Sequence, residues 1–383
     1  MRFFHLADLH IGKKVNGYSM VEEQRVILAQ VADTIAKEKP TALILAGDIY
    51  DRRNPPIEAV SLFDAFVSKV VLDLGVPILA IGGNHDGGER LGFANAIQAK
   101  VGLHLVGVFT WPIPKVRFED ADGPVDVYLM AYADLAVLHT VVPETEGMGY
   151  PEAMDWVLRH TEVDDEARNI LVAHGVVTGE DDLVTSDSER VLSIGGTEYW
   201  QSASLERFDY VALGHLHQHQ RAGSERIRYA GSLMQYSFSE EKHQKVMLDI
   251  VVQADGAISY DAIPLEAPHK LVTVKGFLDD LLEVPDTVAP HREDYLRVIL
   301  EDSGSLIEPM QRLKTCYPRI MLLERQALQP AAIDMAAPIA QKAALSPMAL
   351  FDTFYEQVTD KMPDEAMYKI MSEIFEELQK EEP

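Results

Sequence analysis

The stretch Leu213-Gly-His-Leu-His217 places two histidines directly after Tyr210–Leu213, an apolar run typical of a buried β-strand. Four earlier polar clusters have the same setting: Asp8-Leu-His10, Gly47-Asp-Ile-Tyr-Asp51, Gly83-Asn-His-Asp86 and Ala173-His-Gly175. The strands predicted before them are Phe3–Ala7, Ala42–Ala46, Pro77–Ile81 and Ile170–Ala173. Functional sites in open α/β sheets lie outside the carboxyl ends of the strands, so we expect the five clusters to meet at one place.

The segments between these strands predict an α/β fold. Helical periodicity in Met20–Lys37 and Ile57–Asp73 separates the first three strands, and this β-α-β-α-β order indicates parallel pairing through helical crossovers. Beyond His217 the apolar residues alternate with polar ones, which predicts antiparallel strands that finish a second sheet. Those strands are expected at Ile227–Ala230, Val246–Val252 and Ile258–Ile263.

Changes in composition predict four segments. Residues 1–266 contain all five polar clusters and form the main domain. Residues 267–328 have the β-α-β-α-β order of a small α+β domain. Residues 329–345, which are rich in Ala and Pro, are expected to be a linker, and residues 346–383 to be two amphipathic helices.

The net charge of −27 argues against a nucleic-acid partner, because phosphate backbones attract clustered Lys and Arg. The distribution of charge weakens that objection. Residues 1–118 carry 13 basic and 12 acidic side chains, whereas residues 119–190 carry 3 basic and 18 acidic ones. Several basic residues follow the polar clusters, where they either contact phosphate or are solvated loop charges. They are Lys13, Lys14, Arg52, Arg53, Arg90 and Arg221.

Composition also indicates the compartment. The 383 residues are 47% hydrophobic, as in an ordinary globular protein with a sizeable core. The single cysteine, Cys316, excludes an intramolecular disulfide and fits a reducing compartment. The first residues show no basic-then-apolar leader, and no apolar run reaches about 18 residues. We therefore expect a cytoplasmic protein that has no membrane partner.

The polar clusters supply seven candidate metal ligands: Asp8, His10, Asp48, Asn84, His174, His215 and His217. Mixed His, Asp and Asn ligands suit divalent transition metals, and seven ligands are too many for one tetrahedral zinc. They fit a pair of metals about 3.5–4 Å apart, which can clamp both oxygens of an in-line displacement at phosphorus. Any one cluster alone could be an incidental turn, so the prediction depends on all five occurring in order.

The other histidines lack this setting, and we expect structural roles for them. They are His5, His104, His139, His160, His243, His269 and His291, together with His219, which is expected at the surface although it could face a substrate.

The order of the clusters resembles the calcineurin-like metallophosphoesterase superfamily, whose fold is a two-sheet β-sandwich flanked by helices. Longer phrases resemble the SbcD family, the nuclease subunits of bacterial SbcCD complexes. These phrases are His5-Leu-Ala-Asp-Leu-His-Ile-Gly12, Ala46-Gly-Asp-Ile-Tyr-Asp-Arg52, Gly83-Asn-His-Asp86, Gly214-His-Leu-His217 and Tyr229-Ala-Gly-Ser232. The resemblance covers the main domain by motif, and the small capping domain and terminal helices by position and size only.

The resemblance implies two manganese ions and a role for each cluster. One ion would be held by Asp8, His10 and His217, the other by Asn84, His174 and His215, and Asp48 would bridge them. His85 would stabilise charge at the phosphate or assist the leaving oxygen, and Asp86 would orient its ring. The implied activity is a 3′–5′ exonuclease on double strands and an endonuclease on single strands and hairpins, in DNA recombination, repair and replication.

Two other function classes remain open from the spacing alone. A metallophosphoesterase that acts on nucleotides or phosphoproteins would share every ligand, but it would have little use for the extra domain and terminal helices. A non-catalytic scaffold with the same fold would be expected to have lost a ligand.

Two protein partners are expected. The helix Ile57–Asp73 has more apolar side chains than one buried stripe requires, and a helix near Phe93–Ile97 adds others. All of them could pack on the chain's own sheet, but the SbcD family pairs through helices beside its active sites, so we expect a homodimer. The apolar residues of the first helix are Val60, Phe63, Phe66, Val67, Val70 and Val71.

The terminal helices of residues 346–383 are expected to fold back on the main domain or to dock on another protein. Their Met and aromatic residues favour a helix-in-groove contact with a partner. By resemblance that partner is SbcC, an ATPase with coiled-coil arms, whose ATP state would control the access of DNA to the metals.

Overall fold

The computed structural model describes residues 1–178, 183–189, 199–302, 305–326, 348, 351–352, 355, 363–364, 367–372 and 374–375. It divides the chain into two compact units, Met1–Leu271 and Val272–Pro383. The predicted linker, residues 329–345, lies outside the described residues, and so does most of the terminal segment 346–383.

The strands of the described residues are, in chain order, β1 Arg2–Leu6, β2 Lys14–Val15, β3 Tyr18–Ser19, β4 Ala42–Ala46, β5 Ile78–Ile81, β6 Leu103–Val106, β7 Lys115–Asp120, β8 Gly123–Leu129, β9 Arg168–His174, β10 Val176–Thr178, β11 Tyr199–Gln201, β12 Tyr210–Gly214, β13 Gln220–Ala222, β14 Ser224–Tyr229, β15 Val246–Val252, β16 Ile258–Pro264, β17 Leu271–Gly276, β18 Tyr295–Leu300 and β19 Ile320–Arg325. The helices of the same residues are α1 Val21–Glu38, α2 Ile57–Ser68, α3 Gly88–Leu91, α4 Asn95–Gln98, α5 Leu135–Val141, α6 Tyr150–His160, α7 Leu278–Leu282 and α8 Pro309–Lys314. A π-helical turn, Lys69–Asp73, continues α2.

The first six-stranded sheet, sheet A, has the order β16-β15-β1-β4-β5-β6. Its strands β1, β4, β5 and β6 pair in parallel, as the β-α-β-α-β order predicted. The crossover helix α1 buries Ile27, Val31 and Ile35, which recur every four residues along one face. This helix ends at Lys39, which adopts the left-handed conformation that commonly terminates helices.

The second six-stranded sheet, sheet B, has the order β13-β14-β12-β9-β8-β7. The prediction for the strands beyond His217 was confirmed in part. Strands β15 and β16 pair antiparallel, and β14 pairs antiparallel with β13. However, β14 also pairs in parallel with β12, and β15 and β16 join sheet A next to β1 instead of finishing the second sheet. Alternation of apolar residues shows that a strand has one buried face, but it does not show which sheet covers that face.

The two sheets pack face to face around one core, which confirms the predicted α/β two-sheet architecture. Sheet A contributes Phe3, Ile44 and Leu79, and sheet B contributes Val127 and Ile170. On its other face sheet B packs against α5 and α6, in a second core cluster that includes Leu138, Val157 and Leu171.

The register of the sheets brings the ends of the strands to one level. In sheet B, Gly214 at the end of β12 pairs with His174 at the end of β9. In sheet A, β1, β4 and β5 run parallel side by side, so their carboxyl ends lie at one edge. The polar clusters therefore emerge from both sheets at one end of the sandwich.

The second unit has its own small core. Strands β17, β18 and β19 form a three-stranded sheet in that order. Leu296, Val298 and Leu300 of β18 pack with Leu313 and Tyr317 from α8 and its C-terminal side. In the part of the chain that the structure describes, every helix is too short or too polar to cross a membrane.

Candidate metal centre

The structure brings the seven predicted ligands together at the end of the sandwich. Asp8, His10 and His217 form one group, and Asp8, Asp48 and His174 form a second, with the ligand atoms of each group within 4.8 Å of one another. The two remaining candidates contact these groups. Asn84 Oδ1 lies 2.9 Å from His174 Nε2 and 3.3 Å from His215 Nδ1.

His10 and His217 present their imidazole nitrogens to each other. Their Nε2 atoms are 3.1 Å apart, and both side chains are buried. The Nδ1 atom of His217 lies 3.1 Å from a carboxylate oxygen of Glu240, which can only accept a hydrogen bond when ionised. The His217 ring proton therefore belongs on Nδ1, and the lone pair of Nε2 points toward His10.

His174 has the same arrangement on the other side of the site. Its Nδ1 donates to the backbone carbonyl of Ala46 at 2.9 Å, and its Nε2 faces Asn84 Oδ1. Burial opposes protonation of the ring, but the carboxylates of Asp48 and Asp8 raise its pKa to about 9, so a bound cation would take the place of the proton on Nε2. The same Nε2 lies 3.5 Å from Asp48 Oδ2. Three electron-rich atoms thus converge where a cation could replace a proton as their shared partner.

Asp48 lies between the two groups. Its Oδ2 is 3.5 Å from His174 Nε2 and 3.7 Å from His10 Nε2, while its Oδ1 accepts the backbone N–H of His85 at 2.8 Å. Burial opposes ionisation of this carboxyl, but the imidazoles of His174, His10 and His85 hold its pKa below the ordinary value. By contrast, burial raises the pKa of Asp8 to about 7.

The backbone around these ligands is unusual for residues that have a Cβ atom. Asp8, His10, Asp48 and His215 have φ values of 51°, 43°, 50° and 108°. Non-glycine residues with positive φ are uncommon and cluster at functional sites, where the surrounding structure sustains the strain. The surrounding packing therefore holds these four residues in unfavourable backbone conformations, and their side chains reach the site.

Glycine before a ligand is required by close approach. A Cβ atom at Gly83 would overlap the carboxylate and backbone nitrogen of Asp48, and one at Gly214 would overlap the carbonyl oxygen of Ala46. The Gly-Asn and Gly-His pairs of the sequence motifs follow from this packing, because only glycine leaves room for the ligands of neighbouring strands.

Comparison with protein-family models agrees with this geometry. The model of the calcineurin-like phosphoesterases matches residues 1–219, which is more than half of the chain. The chain belongs to the calcineurin-like phosphoesterase family. It is therefore a metal-dependent hydrolase, and the family together with the ligand groups supports a dinuclear site for divalent cations. A second model, SbcD_C, described as the type 5 capsule protein repressor C-terminal domain, matches residues 267–359.

Solved structures of other phosphoesterases resemble the chain remotely. A dimetal phosphatase from Danio rerio is 12% identical, with a TM-score of 0.43, over 70% of this chain and 97% of its own. The phosphoesterase YfcE from E. coli is 13% identical, with a TM-score of 0.29, over 69% of this chain and 100% of its own.

The residues of this phosphoesterase fit a pair of divalent cations. The buried Nε2 atoms of His10 and His217 lie 3.1 Å apart, so a proton or a cation must lie between them. Among the described residues, the buried Nδ1 of His10 and Nδ2 of Asn84 have no hydrogen-bond partner. Imidazole, amide and carboxylate donors of this kind are the ligands that transition metals such as manganese accept.

The role predicted for Asp86 was wrong, because its carboxylate does not contact the His85 ring. Asp86 accepts hydrogen bonds from the backbone N–H groups of Ile49, Tyr50 and Gly83 at 2.9–3.0 Å. His85 Nδ1 instead lies 2.9 Å from the backbone carbonyl of Asp51. Asp86 therefore holds two ligand loops together, although burial and the nearby Asp48 raise its pKa to about 7.

The candidate DNA-contacting residues have different surroundings. Lys13 Nζ is 2.8 Å from Asp51 Oδ1, next to the site, and Arg52 lies 3.4 Å from the other oxygen of Asp51. Arg90 donates to Asn54 at 2.5 Å. Arg221, on strand β13, pairs with Glu225 on β14. The other candidates are exposed: Lys14, Arg52, Arg53 and Arg90.

Sequence reasoning missed a buried polar cluster behind His217. Glu240, Lys245 and Ser188 all contact this histidine, and Glu240 and Lys245 form a buried ion pair at 2.6 Å. No motif marks them, because the stretch that contains Glu240 is polar and resembles a surface loop. His5 has the structural role predicted for it, since its buried ring is 2.9 Å from the hydroxyl of Tyr210.

Proposed function

We propose that this phosphoesterase is a manganese-dependent DNA nuclease that works with an ATPase partner of the SbcC type. The observation that carries the proposal is the match of residues 267–359 to the SbcD C-terminal domain, directly behind the phosphoesterase match. The proposed activities are 3′–5′ cleavage of double strands and endonucleolytic cleavage of single strands and hairpins. They would serve DNA recombination, repair and replication in the cytoplasm.

The same proposal assigns a task to each part of the chain. Residues 1–266 are the nuclease domain, residues 267–328 the capping domain and residues 329–345 the linker. Residues 346–383 would be the two helices that bind the ATPase. The proposal for the last two segments rests on their composition and on the family match that reaches residue 359.

We assign one cation to Asp8, His10 and His217. The other is assigned to Asn84, His174 and His215, with Asp48 shared by both. When bound, two divalent cations would supply Lewis acidity at the phosphate and lower the pKa of water toward neutrality. The chain's own contribution is to fix these donors in advance, through glycines and strained loops that need no rearrangement.

His85 is the proposed acid or charge stabiliser. Its Nδ1 is held by the carbonyl of Asp51 and its Nε2 lies 4.0 Å from Asp48 Oδ2, so the ring faces the site without belonging to either ligand group of the proposal. Its side chain is 16% exposed, more than the 2% of Asp48, so a substrate phosphate could reach it. A positioned imidazole can donate a proton to a leaving oxygen near neutral pH.

DNA would approach across the basic residues beside the ligand loops. Lys13 and Arg52 both pair with Asp51, and Lys14, Arg53 and Arg90 are exposed nearby in sequence. Phosphate groups could exchange with these carboxylate and water contacts, which would give binding that weakens with salt. The acidic remainder of the chain leaves further positive surface to be supplied by the partner.

A substrate panel tests the proposal. End-labelled duplex, hairpin and single-stranded DNA are incubated with manganese, beside a nucleotide, a phosphopeptide and a small phosphodiester. Cleavage of DNA by the wild type, lost in His85→Gln, is the expected result. Turnover confined to the nucleotide or phosphopeptide would instead support the alternative phosphoesterase function.

A further inference from the structure

Glu240 contacts the edge of the His217 ring that is opposite the proposed cation. Its Oε1 lies 3.1 Å from His217 Nδ1, and the side chain is completely buried. The other oxygen accepts a hydrogen bond from Lys245 Nζ at 2.6 Å. The hydroxyl of Ser188 lies 2.6 Å from the same Nδ1 and hydrogen-bonds to Glu240 Oε1.

The same cluster also holds the backbone of His217. Its N–H donates to Glu189 Oε1 at 2.8 Å, and its carbonyl oxygen accepts from Lys245 Nζ at 2.8 Å. Every polar atom of His217 except Nε2 thus has a hydrogen-bond partner in this cluster. Nε2 is the atom that faces His10 at 3.1 Å.

His10 provides a contrast within the same site. Its ring is equally buried, but its Nδ1 has no hydrogen-bond partner among the described residues, and Asp51 Oδ1 lies 3.9 Å from that nitrogen. The two facing imidazoles therefore differ at Nδ1. The Nδ1 atom of His217 contacts a carboxylate, whereas the Nδ1 atom of His10 has no hydrogen-bond partner among the described residues.

We propose that Glu240, held by Lys245, is a positioning residue that fixes the tautomer of His217. An ionised carboxylate has no proton to donate, so it keeps the ring proton on Nδ1 and leaves the Nε2 lone pair for the cation. Lys245 donates to one oxygen of Glu240 at 2.6 Å and Ser188 donates to the other, so both oxygens act as acceptors, and the same ammonium group anchors the histidine carbonyl at 2.8 Å. The inference rests on the proposed metal centre, of which His217 is a ligand.

Glu240→Gln tests this role with little change in shape. Lys245 has only donors, so the new amide would turn its oxygen to Lys245 and its NH2 group to His217 Nδ1. The ring proton would then move to Nε2 and block the ligand position. Removal of such outer partners weakens metal binding by about 10–100-fold, which is the expected loss at one of the two manganese sites.

Asp126→Asn is the matched control. Asp126 is also a completely buried carboxylate paired with cations, Lys115 and Arg117, both at 2.6 Å, but it contacts none of the ligands in the described structure. Glu240→Gln weakens a buried ion pair, and Asp126→Asn weakens the pairing of a buried carboxylate with two partly exposed cations, so both variants should lose stability. Only Glu240→Gln should lose manganese affinity, measured on the full chain by calorimetry and by paramagnetic resonance counting of bound Mn2+.

A spectroscopic measurement on the metal-free wild type makes the test independent of any variant's folding. Nitrogen-15 histidine spectra, assigned with His217→Gln, should show the His217 proton on Nδ1. A proton on Nε2 would overturn the inference, and so would equal manganese affinity in Glu240→Gln and wild type, or equal losses in both variants. Wild-type protein that binds no manganese pair would overturn the metal centre itself.

Discussion

At the scale of single residues, the candidate ligands are held in backbone conformations that are unfavourable for residues with a Cβ atom. Four of the seven candidate ligands have positive φ, and glycines precede three of the ligand clusters because a Cβ would overlap a neighbouring ligand strand. Such strain persists only where the surrounding packing over-determines the backbone.

Asp48→Ala and His85→Gln should divide binding from cleavage. Asp48 lies within 4 Å of imidazole nitrogens from both ligand groups, so its loss should remove tight binding of two manganese ions. His85→Gln should bind both ions normally and lose most cleavage, by about 100-fold or more, as expected for a general acid. Manganese titration beside single-turnover cleavage measures both effects, and tight binding of two ions by Asp48→Ala would refute the bridging role.

Gly83→Ala should damage the site through packing alone. The added methyl group would overlap the Asp48 carboxylate, so Asp48 or the loop must shift. Overpacking of this kind costs about 1–3 kcal/mol in the free energy of unfolding. Gly147→Ala is a control in which the added Cβ meets no atom within 4 Å, although its positive φ of 83° gives some strain. Weaker manganese binding in Gly83→Ala but not in Gly147→Ala is the expected result.

At the scale of secondary-structure elements, α2 shows how a helix pattern can mislead. The sequence predicts surplus apolar surface on this helix, but Phe63, Phe66, Val70 and Val71 are all buried within the chain. Of the six apolar residues named for the helix, Val60 is the one that is clearly exposed, at 44%. Other apolar side chains are exposed on α2 and on the segment around α4. They are Ile57, Phe93, Ile97 and Val101.

We propose that these exposed apolar side chains form the homodimer interface, and the variant Ile97→Asp tests the proposal. Ile97 is 72% exposed on α4, and a carboxylate there would be buried without a partner in a dimer. The variant should sediment as a monomer at micromolar concentration, whereas the proposal predicts a dimer for the wild type. Ile307→Asp, at an equally exposed apolar position in the second unit, should leave the dimer intact. A monomeric wild type would contradict the proposal.

At the scale of the whole molecule, two sheets supply one site, so binding of cations should be coupled to folding. Ligands come from β1, β4 and β5 of sheet A and from β9 and β12 of sheet B, and these do not meet in an unfolded chain. Each cation would therefore stabilise the folded state by mass action.

Manganese should raise the thermal midpoint of unfolding, and a chelator should reverse the rise. At a free concentration 100 times the dissociation constant, each site contributes about 2.7 kcal/mol. Differential scanning calorimetry with and without manganese measures the shift. Asp48→Ala should show a much smaller shift, and an equal shift in that variant would mean that manganese binds elsewhere.

Removal of residues 346–383 tests the proposed ATPase contact. The described cores of both units lie before residue 346, so the shortened chain should fold and cut DNA with manganese. It should no longer co-purify with an SbcC-type ATPase or show ATP-dependent cleavage. Tight binding of the ATPase by the shortened chain would defeat the proposal.

The sequence by itself determined the parallel strands of sheet A and the chemistry of the candidate site. Apolar runs, helical spacing and the polar residues that follow each strand are local properties, and they can be recognised without knowing which segments touch. The glycines of the motifs are local as well, although the reason for them, overlap with Asp48 or Ala46, appears only in the packed sheets.

The tertiary structure alone decided which distant residues support the ligands. Strands β15 and β16 joined sheet A rather than sheet B, Asp86 bonded to backbone groups instead of His85, and Glu240 came to lie behind His217. Each of these outcomes depends on which face of an element is covered and by what. The chemistry of a side chain follows from its residue type, which the sequence states. Its partner depends on the packing of segments that lie far apart in the chain.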